Sequence, residues 1–488
     1  MVNTGKASQA CAVCKRRKIK CDLAKPACSQ CIRSGWDCPG PKGELEVAFK
    51  DQTEIVTRSM SRTRPTTARS LNTASESLEL RGFPRTVPSS TLDCGTAFFM
   101  HHYVFLGDGD STSTKSRGHH EYLPALLRRE SGNGPLRTIV AAAGLAALSN
   151  VGAASTWLVE SYQLCNKAVR QLKSALSNPN EAFTDAILAT MMIMGTFEAI
   201  TSGNIDSMKV YGYHTMAAVR CIDLRGPKQF RGDAPLKLFL ELRRIIFMTC
   251  HQCQTPISST VNQWSNWAEQ AQQPEELHSN EFAAINGQLA AARAEIKTQG
   301  VTCPAAIAAK LLPIDEQLIH WKQSLPESWS SSTHRVPDLN NLQFLVWQSQ
   351  FDTYRDFWLA TVLDNYRCVR LIVHEAIIKS IVAKGCREHQ VLLQASMATT
   401  RETVDEICSS VPYILGNCPQ NGEDTAMQSE ARPIPGGYVL VWPLFLSAMM
   451  RTTPRAQRDW ITGVLRHIGN RTGLKLAMSM AKVLQKNH

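Results

Sequence analysis

Six cysteines near the start constrain this chain more than any other feature. They are Cys11, Cys14, Cys21, Cys28, Cys31 and Cys38, spaced C-x2-C-x6-C-x6-C-x2-C-x6-C. The two halves have the same internal spacing, which is typical of a duplicated metal-binding knuckle. A C-x2-C step lets one turn of backbone present two sulfurs to a single ion, and Zn²⁺ prefers four such ligands in a tetrahedron. We therefore expect this segment to fold around metal.

Six sulfurs are too many for one tetrahedral ion and too few for two separate ones. Two ions can share six sulfurs only if two of the sulfurs bridge the ions. The duplicated spacing makes the first cysteine of each half, Cys11 and Cys28, the natural bridging pair, and the other two cysteines of each half complete one shell. The prediction is therefore two Zn²⁺ ions with all six cysteines as ligands. About forty residues cannot build an adequate core alone, so the metal would also drive folding.

Other interpretations of the cysteines explain less. A disulfide scaffold needs an oxidising compartment, whereas residues 1–10 lack an apolar signal-peptide core. We therefore expect an intracellular chain whose sixteen cysteines are reduced. A redox-active thiol cluster or a copper-thiolate store would explain the cysteines but not the basic residues among them.

Positive charge is concentrated in the same segment. Residues 1–42 contain nine Lys or Arg against Asp22 and Asp37, which gives +7 of the total net charge of +11. The run K-R-R-K-I-K at residues 15–20 fills the first long gap between cysteines and is expected to form a short helix. A local basic patch indicates a module that binds a polyanion. The same run is also compatible with a nuclear localisation signal or a solvated charged surface.

The segment from Cys11 to Cys38 resembles the DNA-binding domain of fungal zinc binuclear cluster transcription factors. The cysteine spacing, the basic run, Pro26 between the halves and the sequence CIRSGWDC carry the resemblance. It implies that the short helix points its end into the major groove and reads a CGG triplet. Lysine and arginine suit that task because guanine O6 and N7 are paired acceptors in this groove.

The resemblance also implies separate roles for the cations. By position, Arg17 and Lys18 match the base-contacting residues of the family. The remaining cations are expected to contact phosphates, which positions the module without reading bases; they are Lys15, Arg16, Lys20, Lys25 and Arg33. Ile19 and Trp36 are expected to pack inside the module.

The sequence predicts three domains, at residues 1–42, 43–90 and 91–488. Residues 43–90 are predicted to form a flexible linker, because ten of the twenty-one residues from Thr57 to Ser77 are Ser or Thr. Many relatives carry a coiled coil there, but this linker has too few apolar residues for three or four heptads. A homodimer would therefore have to form through the body.

Residues 91–488 are predicted to form one large all-α domain. Apolar residues recur at three-to-four spacing over residues 158–176 and 358–377, and Gly385, which follows the second run, is expected to end that helix. Runs of alternating β-branched residues are nearly absent. Loops are expected near residues 255–280, 325–340 and 416–436.

Three stretches of the body resemble the helical regulatory domain that follows the zinc cluster in many of these factors. They are residues 195–214, 354–370 and 437–444. The resemblance implies a regulatory body that senses a ligand or a partner, with no catalytic residues to carry over. Pro443, in the third stretch, is expected to kink a helix or mark its boundary.

No motif in the body indicates catalysis. The chain has no P-loop, no dinucleotide-binding glycine pattern and no G-x-S-x-G elbow. His374-Glu375 begins like a zinc-protease motif, but Ile378 stands where the second histidine belongs. Cys250 and Cys253 form a lone C-x2-C and are interpreted as core cysteines.

Residues 106–110 resemble part of a calcium-binding loop, although Thr112 and the lack of the later glycine break that pattern. The pairs His101-His102 and His119-His120 lie near this segment in sequence. A metal site there is the less favoured interpretation.

The favoured hypothesis is a nuclear, sequence-specific DNA-binding regulator of RNA polymerase II transcription in a fungus, and not an enzyme. Its expected partners are double-stranded DNA and the transcription machinery or co-regulators. No membrane is expected, since no uncharged apolar stretch is long enough to span one. The rival hypothesis is a helical small-molecule sensor or enzyme with an accessory DNA-binding module. The resemblance suggests pathway-specific control, such as that of a specialised-metabolite gene cluster.

Overall fold

The computed structural model describes most of the cluster segment and of the body. The described residues are 10–24, 26–40, 90–106, 118–130, 132, 134–152, 155–178, 180–203, 207–335, 345–385, 387–416, 434 and 436–486, with backbone only at 155 and 207–213. Lys25, the predicted linker up to residue 89 and the calcium-like residues 107–110 therefore lie outside the described residues.

Helices dominate the described part of the chain. They are α1 Ala12–Arg17, α2 Ser29–Arg33, α3 Thr91–Tyr103, α4 Leu123–Arg129, α5 Pro135–Gly152, α6 Ser155–Leu176, α7 Asp185–Thr201, α8 Ser207–Arg225, α9 Asp233–Cys253, α10 Ser259–Glu269, α11 His278–Thr298, α12 Pro304–Ser324, α13 Phe357–Lys384, α14 Gln390–Ile414, α15 Gly437–Met449, α16 Arg455–Thr472 and α17 Lys475–Lys486. Strands β1 Ser332–Arg335 and β2 Gln350–Thr353 pair antiparallel, with Ser332 opposite Thr353. The predicted fold class, a small cysteine-rich segment followed by a helical body, is confirmed.

Helix α5 lies at the centre of the first half of the body, where it packs against α3, α6 and α7. It is buried on nearly every side, so its sequence is rich in alanine and glycine rather than amphipathic. The crossing with α3 depends on two glycines. A Cβ atom on Gly144 would lie 1.7 Å from the carbonyl oxygen of Gly95, and one on Gly95 would lie 2.3 Å from that of Ala141.

Helix α6 confirms the apolar face that the sequence predicts over residues 158–176. Leu172 is fully buried and Leu158, Tyr162 and Val169 pack against the core. Helix α7 is buried over most of its length and is capped by Thr184, whose hydroxyl accepts a hydrogen bond from the backbone N–H of Ile187. No helix in the described ranges is both long enough and apolar enough to cross a bilayer.

Helix α13 has the start and stop signals that its sequence predicts. The Asp356 carboxylate accepts a hydrogen bond from the backbone N–H of Leu359 at 2.8 Å, which caps the first turn. Gly385 ends the helix in the left-handed region at φ 63°. Residues of α13 line a cavity together with residues of α9, α11 and α15.

Two predictions about the body are wrong. The loop expected at residues 255–280 contains helix α10, because Val261, Trp264 and Ala268 recur at three-to-four spacing and bury against the core. The loop expected near 325–340 contains strand β1. Of the two alternatives for Pro443, the helix boundary is wrong, because Pro443 lies inside α15; the kink stays a prediction. The loop expected at 416–436 falls almost entirely outside the described residues.

Candidate metal centre and nucleic-acid interface

The structure brings all six cysteines of the first segment together. They form two groups of four cysteines, and within each group all sulfurs lie within 4.8 Å of one another. Both groups contain Cys11 and Cys28. Cys14 and Cys21 complete the first group; the second is completed by Cys31 and Cys38. This is the sharing pattern that two tetrahedral ions would need.

The distances between sulfurs match a zinc–thiolate centre rather than disulfides. The Cys11 sulfur lies 3.8 Å from that of Cys28 and 3.7 Å from that of Cys31, and the sulfurs of Cys14 and Cys28 are 3.6 Å apart. Four sulfurs each about 2.3 Å from one tetrahedral ion are about 3.8 Å apart, whereas a disulfide bond is about 2.05 Å long. All six are free thiols in the structure.

Short helices and N–H to sulfur hydrogen bonds position these side chains. The backbone N–H of Cys14 donates to the Cys11 sulfur, and that of Cys28 donates to the Cys38 sulfur, both at 3.4 Å. The Asp22 carboxylate accepts from the backbone N–H of Ser29 at the start of α2. Helices of six and five residues are too short to be stable in isolation, so the cluster must hold them in place.

The thiols differ in acidity because their surroundings differ. Desolvation by burial raises the pKa of Cys14 to about 12, and hydrogen bonds with neighbouring thiols add to this rise. The same causes raise the pKa of Cys31 even more. The backbone hydrogen bond from Cys28 lowers the pKa of Cys38 to about 7. Zinc binds the thiolate form, so filling this centre must release protons from the buried thiols.

The basic run is only partly helical, which corrects the expected helix over residues 15–20. Helix α1 ends at Arg17 because Lys18 adopts a left-handed conformation at φ 54°. The N–H of Ile19 then donates to the carbonyl of Cys14 and that of Lys18 to the carbonyl of Lys15, as in a Schellman motif. Lys18 therefore lies at the turn where the chain leaves the helix.

Arg17 and Trp36 form a pair that the sequence reasoning missed. The Arg17 guanidinium carbon lies 4.0 Å from the centroid of the Trp36 ring, which is a cation–π contact. Trp36 is half-buried against the cysteine cluster, so its predicted packing role is confirmed. Ile19 is 38% exposed and does not pack as predicted. The nineteen-residue separation of Arg17 and Trp36 offers no local signal for their contact.

The predicted DNA-contacting cations face solvent wherever they are described. Lys15, Arg16, Arg17, Lys18, Lys20 and Arg33 are all exposed. In the described part of the cluster segment, none of them forms a salt bridge with a carboxylate. Their charge is therefore available to an external polyanion.

A second group of titratable side chains lies in the body. The His119 and His120 rings stack with centroids 4.0 Å apart, and the Nδ1 atom of His120 lies 2.6 Å from a Glu241 oxygen. The same Nδ1 atom lies 3.0 Å from the Tyr122 hydroxyl. His119, His120 and Glu241 could hold a metal. The contact between His120 and Glu241 is close, but the Glu241 oxygen concerned makes no hydrogen bond among the described residues.

The other residues singled out for chemistry have structural partners or remain exposed. His374 lies 3.1 Å from Asp315, which also accepts two hydrogen bonds from Arg370. Cys250 is half-buried, whereas Cys253 is exposed, so the interpretation of both as core cysteines is wrong for Cys253.

Comparison with known families agrees with this geometry. The profile of the fungal Zn(2)-Cys(6) binuclear cluster domain matches residues 9–42, and that of the fungal specific transcription factor domain matches residues 111–486. No curated protein and no solved structure matches the chain. The N-terminal domain is of the kind that binds two zinc ions. The chain belongs to the fungal specific transcription factor family and is a DNA-binding transcription factor with an N-terminal zinc cluster.

Proposed function

We propose that the protein recognises CGG-type triplets in double-stranded DNA and regulates RNA polymerase II genes in the nucleus. The observation that carries this proposal is the cysteine centre placed directly beside exposed cations. A rigid frame that holds a helix end next to unpaired positive charge is suited to the major groove. The regulated genes would belong to one pathway, such as a specialised-metabolite gene cluster, and the protein would not act as an enzyme.

All six cysteines are the proposed zinc ligands, with Cys11 and Cys28 bridging the two ions. The support is that both groups of four sulfurs contain these two residues. Both residues are fully buried, as are Cys14 and Cys31, so the support comes from the shared membership and not from burial. Two Zn²⁺ with six thiolates carry a net charge of about −2, which the surrounding lysines and arginines offset.

Lys18 and Arg17 are the proposed base-reading residues. Lys18 is exposed at the end of α1, where its flexible side chain can reach guanine O6 and N7. The Arg17 guanidinium is held against the Trp36 ring by the cation–π contact. The proposed phosphate contacts surround them and would supply most of the salt-dependent affinity; they are Lys15, Arg16, Lys20, Lys25 and Arg33.

The remaining domains have proposed roles of a different kind. Residues 43–90 would link the DNA-binding domain at 1–42 to the regulatory body at 91–488. The body would contact the transcription machinery or co-regulators and would carry any homodimer interface. A dimer through the body would place two clusters on two half-sites.

Substituting Lys18 tests base reading against simple charge. Lys18→Ala should weaken binding to a CGG site by about 1–3 kcal/mol and relax the preference for that triplet. Lys20→Ala is the matched control, because loss of a phosphate contact weakens binding to all sequences alike and lowers the salt dependence. Affinities for CGG and scrambled duplexes at two salt concentrations give both quantities. A uniform loss for Lys18→Ala would contradict the base-reading role.

Genome-wide occupancy tests the proposal as a whole. It reports the bound motif, the spacing of half-sites and the target genes in one measurement. Deletion of residues 1–42 should abolish occupancy of the target promoters. If the deleted protein still turned over a substrate, the DNA module would be accessory and the regulator proposal would be wrong.

A further inference from the structure

A cavity of about 150 Å³ lies between α9, α11, α13 and α15. Residues 118–122 also contribute to its wall. An engineered cavity of about this volume in another protein holds benzene. The volume of this cavity is therefore suited to a ligand with a single ring.

Aromatic rings form part of the cavity wall, and one of them is held in place from behind. Phe247, Phe282, Trp358 and Trp442 line the cavity. Trp358 packs edge-to-face on the buried Trp329, with ring centroids 5.4 Å apart. Rings fixed in this way present flat apolar surfaces without a further cost of ordering them.

Two charged groups at the cavity are already paired. Lys237 lies 3.0 Å from Asp233 and 3.5 Å from Glu121. Glu241 accepts a hydrogen bond from the backbone N–H of His120 at 3.1 Å and lies 2.6 Å from the His120 ring. Lys237 therefore has carboxylate partners, and Glu241 has a backbone donor for one oxygen, although its Oε1 atom makes no hydrogen bond among the described residues.

Arg244 differs from these groups. Its Nη2 atom is buried and has no hydrogen-bond partner among the described residues. Within the described ranges no carboxylate lies within salt-bridge distance of its guanidinium, although Glu241 interacts with it at longer range. A buried guanidinium N–H without an acceptor loses the free energy of its hydrogen bonds to water. An anionic acceptor offsets this loss best, because it forms a charge-assisted hydrogen bond.

A second, smaller cavity of about 40 Å³ meets the first at this arginine. The two cavities share Arg244, Met248, Val439 and Trp442. Arg244 thus lies at the boundary between the larger cavity and a narrow, mainly apolar extension. A ligand in the larger cavity can reach the guanidinium with one polar end.

We propose that the body binds a small monocarboxylic acid with one flat apolar ring, its carboxylate on Arg244 and its ring against Trp358 and Trp442. Arg243, the other arginine of the wall, donates to Ser265 and Asn280, so the Nη2 group of Arg244 is left to satisfy one carboxylate. A phosphate or a dicarboxylate would bring a second negative charge towards Glu121 and Glu241, which disfavours those ligands. Binding itself stands on the cavity alone, whereas control of promoter occupancy by the acid rests on the proposed function.

Calorimetric titration of the zinc-loaded full chain tests this proposal. The probes are benzoate, phenylacetate and 3-phenylpropanoate, each beside its neutral amide, together with inorganic phosphate. At least one acid should bind about tenfold or more tightly than its amide, since only the acid forms a charged hydrogen bond. Phosphate should not displace it.

Substitutions identify the contact. Arg244→Gln should reduce the preference for the acid over its amide to about one, whereas Arg401→Gln, an exposed arginine on α14, should leave the preference intact. Thr361→Trp, which fills the cavity from α13, should abolish binding of acid and amide alike. Helical circular dichroism of each variant separates loss of binding from loss of folding.

Equal binding of acids and amides, or no binding by any of the three acids, would overturn the proposal. So would an Arg244→Gln protein that keeps the preference. Binding of a CGG duplex by the same preparation distinguishes the two proposals. A chain that binds the duplex but no acid overturns only the cavity proposal, and the reverse result overturns only the proposed function.

Discussion

The cluster segment at residues 10–40 and the helical body hold their structures by different means. Apart from Val13, the buried residues of the cluster's core are cysteines, and its two helices have six and five residues. The body instead buries a large set of aliphatic and aromatic side chains in one continuous core. The first region depends on a ligand for folding, whereas the second depends on packing and on buried ion pairs.

The two regions also differ in where the residues that specify their structure lie in the sequence. The cluster is specified by residues that lie within one short stretch of sequence. The body is specified by groups that come together only after the chain has folded. Arg367, for example, contacts Asp364 on its own helix, Tyr354 beyond the end of that helix and Glu406 on α14. Changes in the two regions should therefore have separable effects.

Loss of a shared sulfur should have the largest effect and should be confined to the cluster. Cys28→Ser removes a proposed ligand of both ions, and structural zinc contributes roughly 10–16 kcal/mol of apparent binding free energy. We expect fewer than two zinc ions per chain by native mass spectrometry and complete loss of duplex binding. The thermal melting of the body, followed by circular dichroism, should not change.

Cys303→Ser is the matched control, because Cys303 is an exposed thiol of the body outside the cluster. It should retain two zinc ions and full DNA affinity. If Cys28→Ser also lowered the melting temperature of the body, the two regions would not be independent and the comparison would need revision.

Removal of the central buried arginine should have the next largest effect, now confined to the body. The Arg367 guanidinium lies 2.8 Å from Asp364 and 3.0 Å from Glu406, and its side chain is only 6% exposed. Arg367→Met leaves Asp364 buried without its cation, which should cost about 3–5 kcal/mol of unfolding free energy. Urea unfolding measures this loss, and zinc content should be unchanged.

The loss should depend on pH in a defined direction. Burial raises the pKa of Asp364 to about 6, and Arg367 opposes that shift. Without Arg367 the pKa rises further above the unfolded value of about 3.9, so the folded state binds the extra proton and gains stability as pH falls. The variant should therefore lose less stability at pH 5 than at pH 8.

An exposed pair provides the control for this variant. Arg455 and Asp459 are 3.8 Å apart with side chains 83% and 59% exposed. Arg455→Met should change the unfolding free energy by less than about 1 kcal/mol. Equal losses for both variants would mean that burial of the Arg367 network does not determine its contribution.

Sequence reasoning succeeded where structure follows from local chemistry. The metal-ligand spacing predicted the gathering of the cysteines, and helical periodicity predicted α6 and α13 with its glycine end. Helix α10 was missed although Val261, Trp264 and Ala268 carry a short apolar face, because the polar residues between them resemble a loop.

Features that depend on distant or unusual backbone geometry were not predictable. Lys18 ends α1 in a left-handed conformation that lysine seldom adopts, so the sequence suggested a longer helix. The cavity beside Arg244 arises only where four separate helices meet. Periodicity identifies each helix but gives neither its neighbours nor the buried groups left without a partner.

The smallest expected effect concerns the contact between Arg17 and Trp36, which tests whether the cluster alone positions its reading residues. The cation–π contact should contribute about 0.5–1 kcal/mol at an exposed site. Trp36→Leu, Arg17→Gln and the double variant form a cycle in the free energy of binding to a CGG duplex. A coupling of this size, with two zinc ions retained in every variant, indicates that Trp36 orients Arg17 for DNA. Additive effects would show that Arg17 leaves the ring when it binds, so that the zinc frame alone sets the geometry of the interface.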